Sequence, residues 1–209
     1  MPNAFLTIAT TPSVLAAQVA NGSAGLYDKV GGNRPSDRFG PAETAFIAAR
    51  DSFYMASASE SGWPYVQHRG GPPGFLKMLD ETTLAFPDFR GNRQYISLGN
   101  AAANERVALF LMDYPNRRRL KLYARLEARE LDADPALAAT LDLAGYRGVP
   151  ERAFLLHVEA FDWNCPQHIT PRFTEVEVAE ASAPLIGRLA ELESENALLR
   201  TELAQRTAP

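Results

Sequence analysis

The stretch DSFYMASASESGWPYVQHR, residues 51–69, decides the fold. Two extended runs flank the turn-forming residues Glu60, Ser61 and Gly62, and this arrangement is typical of a β-hairpin. A hairpin pairs its strands in antiparallel fashion, because a turn of a few residues reverses the chain. The stretch therefore predicts an antiparallel sheet in the middle of the chain.

The second strand of this hairpin ends in three polar side chains. Gln67, His68 and Arg69 are followed at once by Gly70 and Gly71. A strand that only fills a core has no need of three hydrogen-bonding groups in a row, whereas a ligand with a phosphate and a flat polar ring does. We expect the trio to face such a ligand, and the glycines to let the chain or a substrate come close to it.

Extended and helical segments alternate around the hairpin. Further strands are predicted in ETTLAFPD, RVALFLMDYP, RRRLKLYARLEARELD and RAFLLHVEAFDWN, residues 81–88, 106–115, 117–132 and 152–164. Helices are predicted at 12–20, at 41–50, after the Gly-rich turn that starts at Phe89, and at 134–146, with a loop over 26–40. About six strands with short connections favour antiparallel pairing, so we expect an α+β fold, mainly β, built on a small antiparallel barrel.

Composition limits the class of protein. The chain has 209 residues, 46% of them hydrophobic, which suits one globular domain with an appendage. A net charge of -4 argues against a nucleic-acid partner. The single cysteine, Cys165, excludes an intramolecular disulfide and fits a reducing compartment. No apolar run reaches the roughly 18 residues that a membrane span requires. We expect a soluble, cytoplasmic protein.

The C-terminal segment has a heptad pattern. Apolar residues and one asparagine recur at spacings of four and three, at Leu185, Leu189, Leu192, Asn196, Leu199 and Leu203. A single asparagine at an a position favours a parallel dimer in fixed register. The alternative is an amphipathic helix packed on its own domain. The run is short, so we expect it to reinforce a dimer that is formed elsewhere. The predicted division is an N-terminal helix and loop at 1–40, a barrel domain at 41–178 and a heptad helix at 184–206.

Basic and polar residues in three stretches are candidates for binding a phosphate ester. Arg69 ends the hairpin, Asn92 and Arg93 begin a predicted helix, and guanidinium groups and helix N-termini both bind phosphate. Gln67, His68 and Trp163 are suited to the rim of a flavin ring. Taken one at a time, these residues have a simpler alternative interpretation: a solvated arginine, a structural histidine or a core tryptophan. Cys165 and His168 are too few for a zinc site, so no metal is expected.

Four stretches resemble the pyridoxamine 5′-phosphate oxidase-like family, the FMN-binding split β-barrels. They are residues 50–94, NERVALFLMDYP, RRLKLYARLEARE and DWNCPQHITPRF. The resemblance implies a homodimer with two FMN sites at the subunit interface. Matched position by position, it implies that the cofactor is bound by Gln67, His68, Arg69, Phe86, Pro87, Asp88, Asn92, Arg93, Gln94, Trp163 and Arg172.

The resemblance also sets expectations about activity. It implies an FMN-dependent oxidoreductase. His68 is the only histidine among the matched residues, and an imidazole can donate or accept a proton, so His68 is our candidate for that role. True oxidases carry a basic residue shortly after the strand arginine, where this chain has Pro72 or Pro73, and their substrate-phosphate contacts are not found. The resemblance therefore does not decide whether the protein oxidises vitamin B6. The alternatives are a non-catalytic flavin or haem binder or sensor, and a deazaflavin-dependent reductase.

Overall fold

The computed structural model describes residues 3–26, 36–163 and 165–207. The chain falls into two compact units, Met1–Ile169 and Thr170–Pro209. Part of the predicted 26–40 loop, residues 27–35, lies outside the described residues.

The first unit is built on one antiparallel sheet. Its strands are β1 (Ser52–Ala58), β2 (Pro64–Gly70), β3 (Lys77–Met78), β4 (Thr83–Phe89), β5 (Arg106–Asp113), β6 (Arg118–Arg129) and β7 (Pro150–Trp163). Their order across the sheet is β2-β1-β5-β6-β7-β4-β3, and each described pair is antiparallel. The predicted hairpin of β1 and β2 and the α+β, mainly β class are confirmed.

Short helices flank this sheet. They are α1 (Ala4–Ala9), α2 (Pro12–Ala20), α3 (Pro41–Ala48), α4 (Ile96–Ala103) and α5 (Pro135–Leu141). The predicted 12–20 helix is confirmed; its Thr11 side chain caps the first turn and Pro12 opens it. The sequence analysis missed α1, which has only six residues. It also missed the two-residue strand β3.

Alternating burial along the strands forms the core. Phe53 and Met55 on β1 are buried, whereas Tyr54 between them is exposed. Phe53 packs edge-on against Phe86 of β4, with ring centroids 5.1 Å apart. Each such fully buried side chain stabilises the fold by about 1.5–3 kcal/mol. The core therefore sits on one face of β1 and β2, and leaves the other face of this hairpin open.

Gly71 serves this core. A Cβ built on Gly71 would lie 2.7 Å from Cγ of Phe75, which is fully buried and stacked on Phe53. The space that the missing side chain leaves is filled by the chain's own aromatic ring. The prediction that the glycines let the chain or a substrate come close to a ligand stays a prediction, and the structure shows that Gly71 makes room for Phe75.

The second unit contains the helix α6 (Glu175–Thr207). Thr174 and Glu177 cap its N-terminus reciprocally: the Glu177 carboxylate accepts the Thr174 N–H at 2.7 Å, and the Thr174 hydroxyl accepts the Glu177 N–H at 3.2 Å. The helix begins earlier than the heptad pattern and contains Pro184. Within the described residues, no helix is long and apolar enough to span a membrane.

Candidate functional site

A cavity of about 190 Å³ opens where the ends of β2 and β4 meet the first turn of α4. Its walls also include the loop at 91–95 and the start of β7. Six of the residues predicted to bind a cofactor line this cavity: Gln67, Arg69, Asp88, Asn92, Arg93 and Gln94. The fold therefore brings together two predicted stretches that are separated in the sequence, residues 67–69 and 88–94.

The alternation of side chains along β2 places His68 on one face of the strand and Gln67 and Arg69 on the other. Gln67 and Arg69 are half-buried and line the cavity, while His68 between them is exposed. Successive side chains of a strand point to opposite faces. His68 accordingly lies against Tyr54, its cross-strand neighbour on β1, with ring centroids 5.5 Å apart. The expectation that all three face one ligand is not met in this cavity.

A buried cluster of three charges forms the floor of the cavity region. Nη1 of Arg69 donates to Oδ1 of Asp88 at 2.6 Å, and Nη1 of Arg152 donates to Oδ2 of the same carboxylate at 2.6 Å. The three side chains are 13%, 9% and 12% exposed. Arg152 also lies 3.8 Å from the Glu151 carboxylate and 4.0 Å from the Glu130 carboxylate, whereas Asp88 is the one acidic partner that Arg69 has among the ion pairs of the described residues. Asp88 thus positions two arginines, a role that the sequence did not reveal.

The Nε atom of Arg69 is a hydrogen-bond donor that the cluster around Asp88 leaves unused. This atom is buried and has no hydrogen-bond partner among the residues that the structure describes. A buried donor without an acceptor is costly, by about 1–3 kcal/mol. Arg69 therefore retains hydrogen-bonding capacity at the wall of the cavity.

Phe86 and Pro87, the neighbours of Asp88, are buried rather than exposed to the cavity. Phe86 belongs to the core, where it packs edge-on against Phe154, and the Arg69 guanidinium lies 5.8 Å from its ring centroid. Pro87 pairs with Ala153 on β7. Both therefore support the cavity from behind, and neither is among its lining residues.

The loop that leads into α4 is held in an unusual conformation. Arg93 and Tyr95 have φ angles of 62° and 53°, in the left-handed region that non-glycine residues seldom adopt. The Asn92 side chain accepts the Gln94 N–H at 3.1 Å and tightens the turn. Among the described residues no side-chain hydrogen bond caps α4, and the first-turn residues Ile96, Ser97 and Leu98 line the cavity.

Glu151 anchors this loop from β7. Its carboxylate accepts hydrogen bonds from Arg90 at 3.0 Å and from the Tyr95 hydroxyl at 3.3 Å. The Arg90 hydrogen bond in particular lowers the pKa of the Glu151 carboxyl, although burial acts in the opposite direction. The Tyr95 hydroxyl also accepts from Nε of Arg93 at 3.4 Å, and these contacts raise the pKa of Arg93. The loop therefore keeps a charged arginine beside the cavity.

Sequence analysis missed several residues of this site. Ser97 on α4 donates to Oε1 of Gln67 at 3.0 Å, and Tyr95, Glu151 and Arg152 organise the walls. The role of Arg152 follows from the strand register, because Arg152 on β7 pairs with Asp88 on β4. That register depends on the sheet order, which the sequence alone does not supply.

Trp163 is not among the lining residues of the cavity. Nε1 of Trp163 donates to Oε1 of the buried Glu43 at 2.7 Å, and its ring packs edge-on against Phe46. It is thus a core tryptophan whose polar atom is satisfied within the chain. Arg172 belongs to the second unit. In the described part of the chain, no group of three histidine, cysteine or acidic side chains is arranged to hold a metal ion.

Residues 39–157 match the family model described as pyridoxamine 5′-phosphate oxidase, which is more than half of the 209 residues. The chain belongs to this family, and its antiparallel sheet is the split β-barrel that the sequence predicts. No curated protein matches the chain.

Solved structures with a similar fold share little sequence with it. HupZ of Group A Streptococcus is 15% identical, with 65% of this chain and 100% of that chain covered and a TM-score of 0.47. A putative pyridoxamine 5′-phosphate oxidase of Lactobacillus delbrueckii is 20% identical, with 61% and 95% covered and a TM-score of 0.46. An FMN-binding protein of Syntrophomonas wolfei is 13% identical, with 58% and 83% covered and a TM-score of 0.45.

Proposed function

We propose that the protein is an FMN-binding oxidoreductase of the pyridoxamine 5′-phosphate oxidase-related type. The observation that carries the proposal is the convergence of six predicted cofactor residues on one cavity beside an uncapped helix N-terminus. Membership of the family supports the same conclusion. The six residues are those that were matched to the family's cofactor site from the sequence.

The residues present fit a phosphate group. Arg69 has a buried Nε that finds no acceptor among the residues that the structure describes, and its guanidinium shares the Asp88 carboxylate with Arg152. A phosphate oxygen is an acceptor that would satisfy the Arg69 Nε. Arg93 is charged and exposed and lines the same cavity, and the first turn of α4 supplies N–H donors. We assign the FMN phosphate to this end of the cavity, held by Arg69, Asn92, Arg93 and Gln94.

The size of the cavity supports a site that is completed by a second copy of the chain. A pocket that encloses a ligand of drug size has a volume of roughly 300–1,000 Å³, and this cavity has about 190 Å³. The cavity has room for the phosphate end of FMN, whereas the flavin ring needs a further protein surface to enclose it. We propose a homodimer in which the flavin ring lies between the two subunits.

The open face of the hairpin is the surface we assign to this dimer. Tyr54 and Val66 are 41% and 61% exposed there. Tyr54 lies opposite both His68 and Phe110 in the strand register, so all three side chains share this face. An uncovered apolar sheet face is typical of a protein interface. His68 would then meet the partner subunit rather than the cavity of its own chain.

Bound FMN supplies hydride chemistry, since its ring takes up or releases a hydride. The chain's own residues would bind and orient FMN. Arg69 and Arg93 would hold the phosphate, and Gln67, which accepts a hydrogen bond from Ser97, would offer its amide to the flavin ring or to the ribityl chain of FMN. His68 stays our candidate for moving a proton at the interface. If His68→Ala leaves the reductive and oxidative half-reactions unchanged, His68 has no such role.

The proposal is tested by the absorption spectrum of the purified protein and by mass spectrometry of the molecule that heat releases. We expect two flavin bands and a released mass equal to FMN. A Soret band, a deazaflavin mass, or a colourless protein that refuses added FMN would each contradict it. Turnover with NAD(P)H distinguishes an oxidoreductase from a non-catalytic flavin carrier, which would bind FMN and accept no electrons.

A further inference from the structure

The helix α6 carries a row of exposed leucines along one face. Leu192 and Leu185 are 44% and 74% exposed, and Leu189, Leu199 and Leu203 fall between these values. None of the described side chains of α6 is buried. An apolar row of this length, left in water, is a surface for a partner.

We propose that α6 pairs with α6 of a second copy of this chain in a parallel, in-register, two-stranded coiled coil. The leucines recur every seven residues at two positions, d (Leu185, Leu192, Leu199) and a (Leu189, Leu203). This narrow seam is the pattern that packs knobs into holes between two helices, whereas a helix that lies on its own domain needs a wider apolar face.

Asn196 decides the orientation. It occupies the a position between Leu189 and Leu203. In a parallel, in-register pair, a faces a, so the two Asn196 amides hydrogen-bond to each other. In an antiparallel pair, a faces d, and each amide would be buried against a leucine without a partner.

Charges beside the seam agree with the parallel arrangement. In register, g positions lie next to the e positions of the following heptad on the other helix. Arg188 then meets Glu193 of the second copy, and Glu195 meets Arg200 of the second copy. Both pairs are opposite in sign. Within one helix Arg188 also donates to Glu191 at 2.8 Å, a contact that any test must separate from the pair across the seam.

The seam begins directly after Pro184. Proline has no backbone N–H and interrupts the hydrogen bonding of the helix at that point, so the paired part is the segment from Leu185 onward. Helices this short are marginal when isolated. Pairing is therefore strongest when another contact between two copies holds the helices near each other, at effective concentrations that reach roughly millimolar for short connections. The inference uses no residue of the cofactor cavity.

Disulfide trapping in the full-length chain tests the inference. In a Cys165→Ser background, Leu189→Cys places a thiol at an a position that faces its own copy, and Ala190→Cys places one on the outer face as the matched control. Because pairing raises the local thiol concentration, we expect Leu189→Cys to form covalent dimers at least about tenfold faster under mild oxidation. Equal rates for the two variants would overturn the proposal.

Charge reversal tests the register independently. Arg188→Glu introduced beside Leu189→Cys should slow trapping, and Arg188→Glu with Glu193→Arg should restore it. The double variant still lacks the contact between residue 188 and Glu191, so restoration comes from the pair across the seam. Slow trapping in both variants would overturn the in-register arrangement. Cofactor content is measured alongside, since a protein that traps normally but binds no FMN contradicts the proposed function and leaves the coiled coil standing.

Discussion

Asp88 on β4 joins Arg152 of the neighbouring strand β7 to Arg69 of β2, which lies at the other end of the strand order. Asp88→Ala leaves the guanidinium groups of Arg69 and Arg152 close together without their shared carboxylate. Loss of one partner from a buried ion pair costs about 3–5 kcal/mol, and we expect a loss of that size in the free energy of unfolding measured with urea.

The matched control for Asp88 is an exposed carboxylate with an arginine partner. Asp37 lies 3.7 Å from Arg38 and half of its side chain is exposed. Asp37→Ala should cost less than about 1 kcal/mol, because exposed ion pairs contribute little. Similar losses for the two variants would mean that Asp88 has no special structural role.

Glu151 provides a prediction about pH. The hydrogen bond from Arg90 lowers the pKa of this carboxyl below its usual value of 4.5. A lowered pKa in the folded state stabilises the fold above the usual value, and this stabilisation is lost as the pH falls through the lowered pKa. Arg90→Ala should therefore reduce the free energy of unfolding at pH 7, and the difference from the wild type should shrink below pH 4.5. A difference that is independent of pH would refute this coupling.

At the residue scale, the sequence predicted those side chains of the cavity whose own polar or charged groups suit a phosphate ester. Gln67, Arg69, Asn92 and Arg93 were predicted and line the cavity. It was uninformative where a role depends on register, since Arg152 reaches Asp88 only through the pairing of β4 with β7. The alternation of β2 was available from the sequence, and it would have separated His68 from its two neighbours.

At the scale of elements, the start of α4 departs from the prediction. The helix begins at Ile96 rather than near Gly91, because the left-handed Arg93 and Tyr95 delay it. Neither residue type signals this conformation, since glycine or asparagine is the usual occupant. Long strands with clear patterns, such as β5 and β6, were predicted well, whereas the shortest elements, α1 and β3, were missed.

Because Arg93 has a left-handed conformation, we expect its replacement by glycine to weaken FMN binding without lowering the stability of the fold. A left-handed non-glycine residue costs about 1–2 kcal/mol, so we expect Arg93→Gly to unfold no more easily than the wild type. Its affinity for FMN should fall at least about tenfold with the loss of a charged hydrogen bond. Arg117→Gly is the matched control, because Arg117 has a φ of 51° and is not a lining residue of the cavity. Loss of FMN affinity in both variants would contradict a specific role for Arg93.

At the scale of the whole molecule, the sheet topology explains why the proposed site needs two copies. The hairpin of β1 and β2 lies at one end of the sheet, with its core on one face and exposed Tyr54 and Val66 on the other. The same strand β2 presents Arg69 to the cavity and His68 to the open face. A second subunit on that face would place its residues close to the cofactor site.

Val66→Arg tests this surface. A buried, unpaired charge at the proposed interface should shift the protein toward monomer at micromolar concentration in sedimentation velocity and weaken FMN binding together. Val19→Arg introduces the same charge on α2, at a site that is 63% exposed and lies outside this face, and it should change neither property. A Val66→Arg protein that stays dimeric and keeps its FMN would place the interface elsewhere.

The central claim is that the cavity between β2, β4 and α4 holds the phosphate of FMN. It is tested most directly by titrating the apoprotein with FMN and with riboflavin, which differ only in the phosphate, and following flavin fluorescence. A charged hydrogen bond contributes about 1.5–3 kcal/mol, so FMN should bind at least about tenfold more tightly than riboflavin. Equal affinities would contradict the phosphate site.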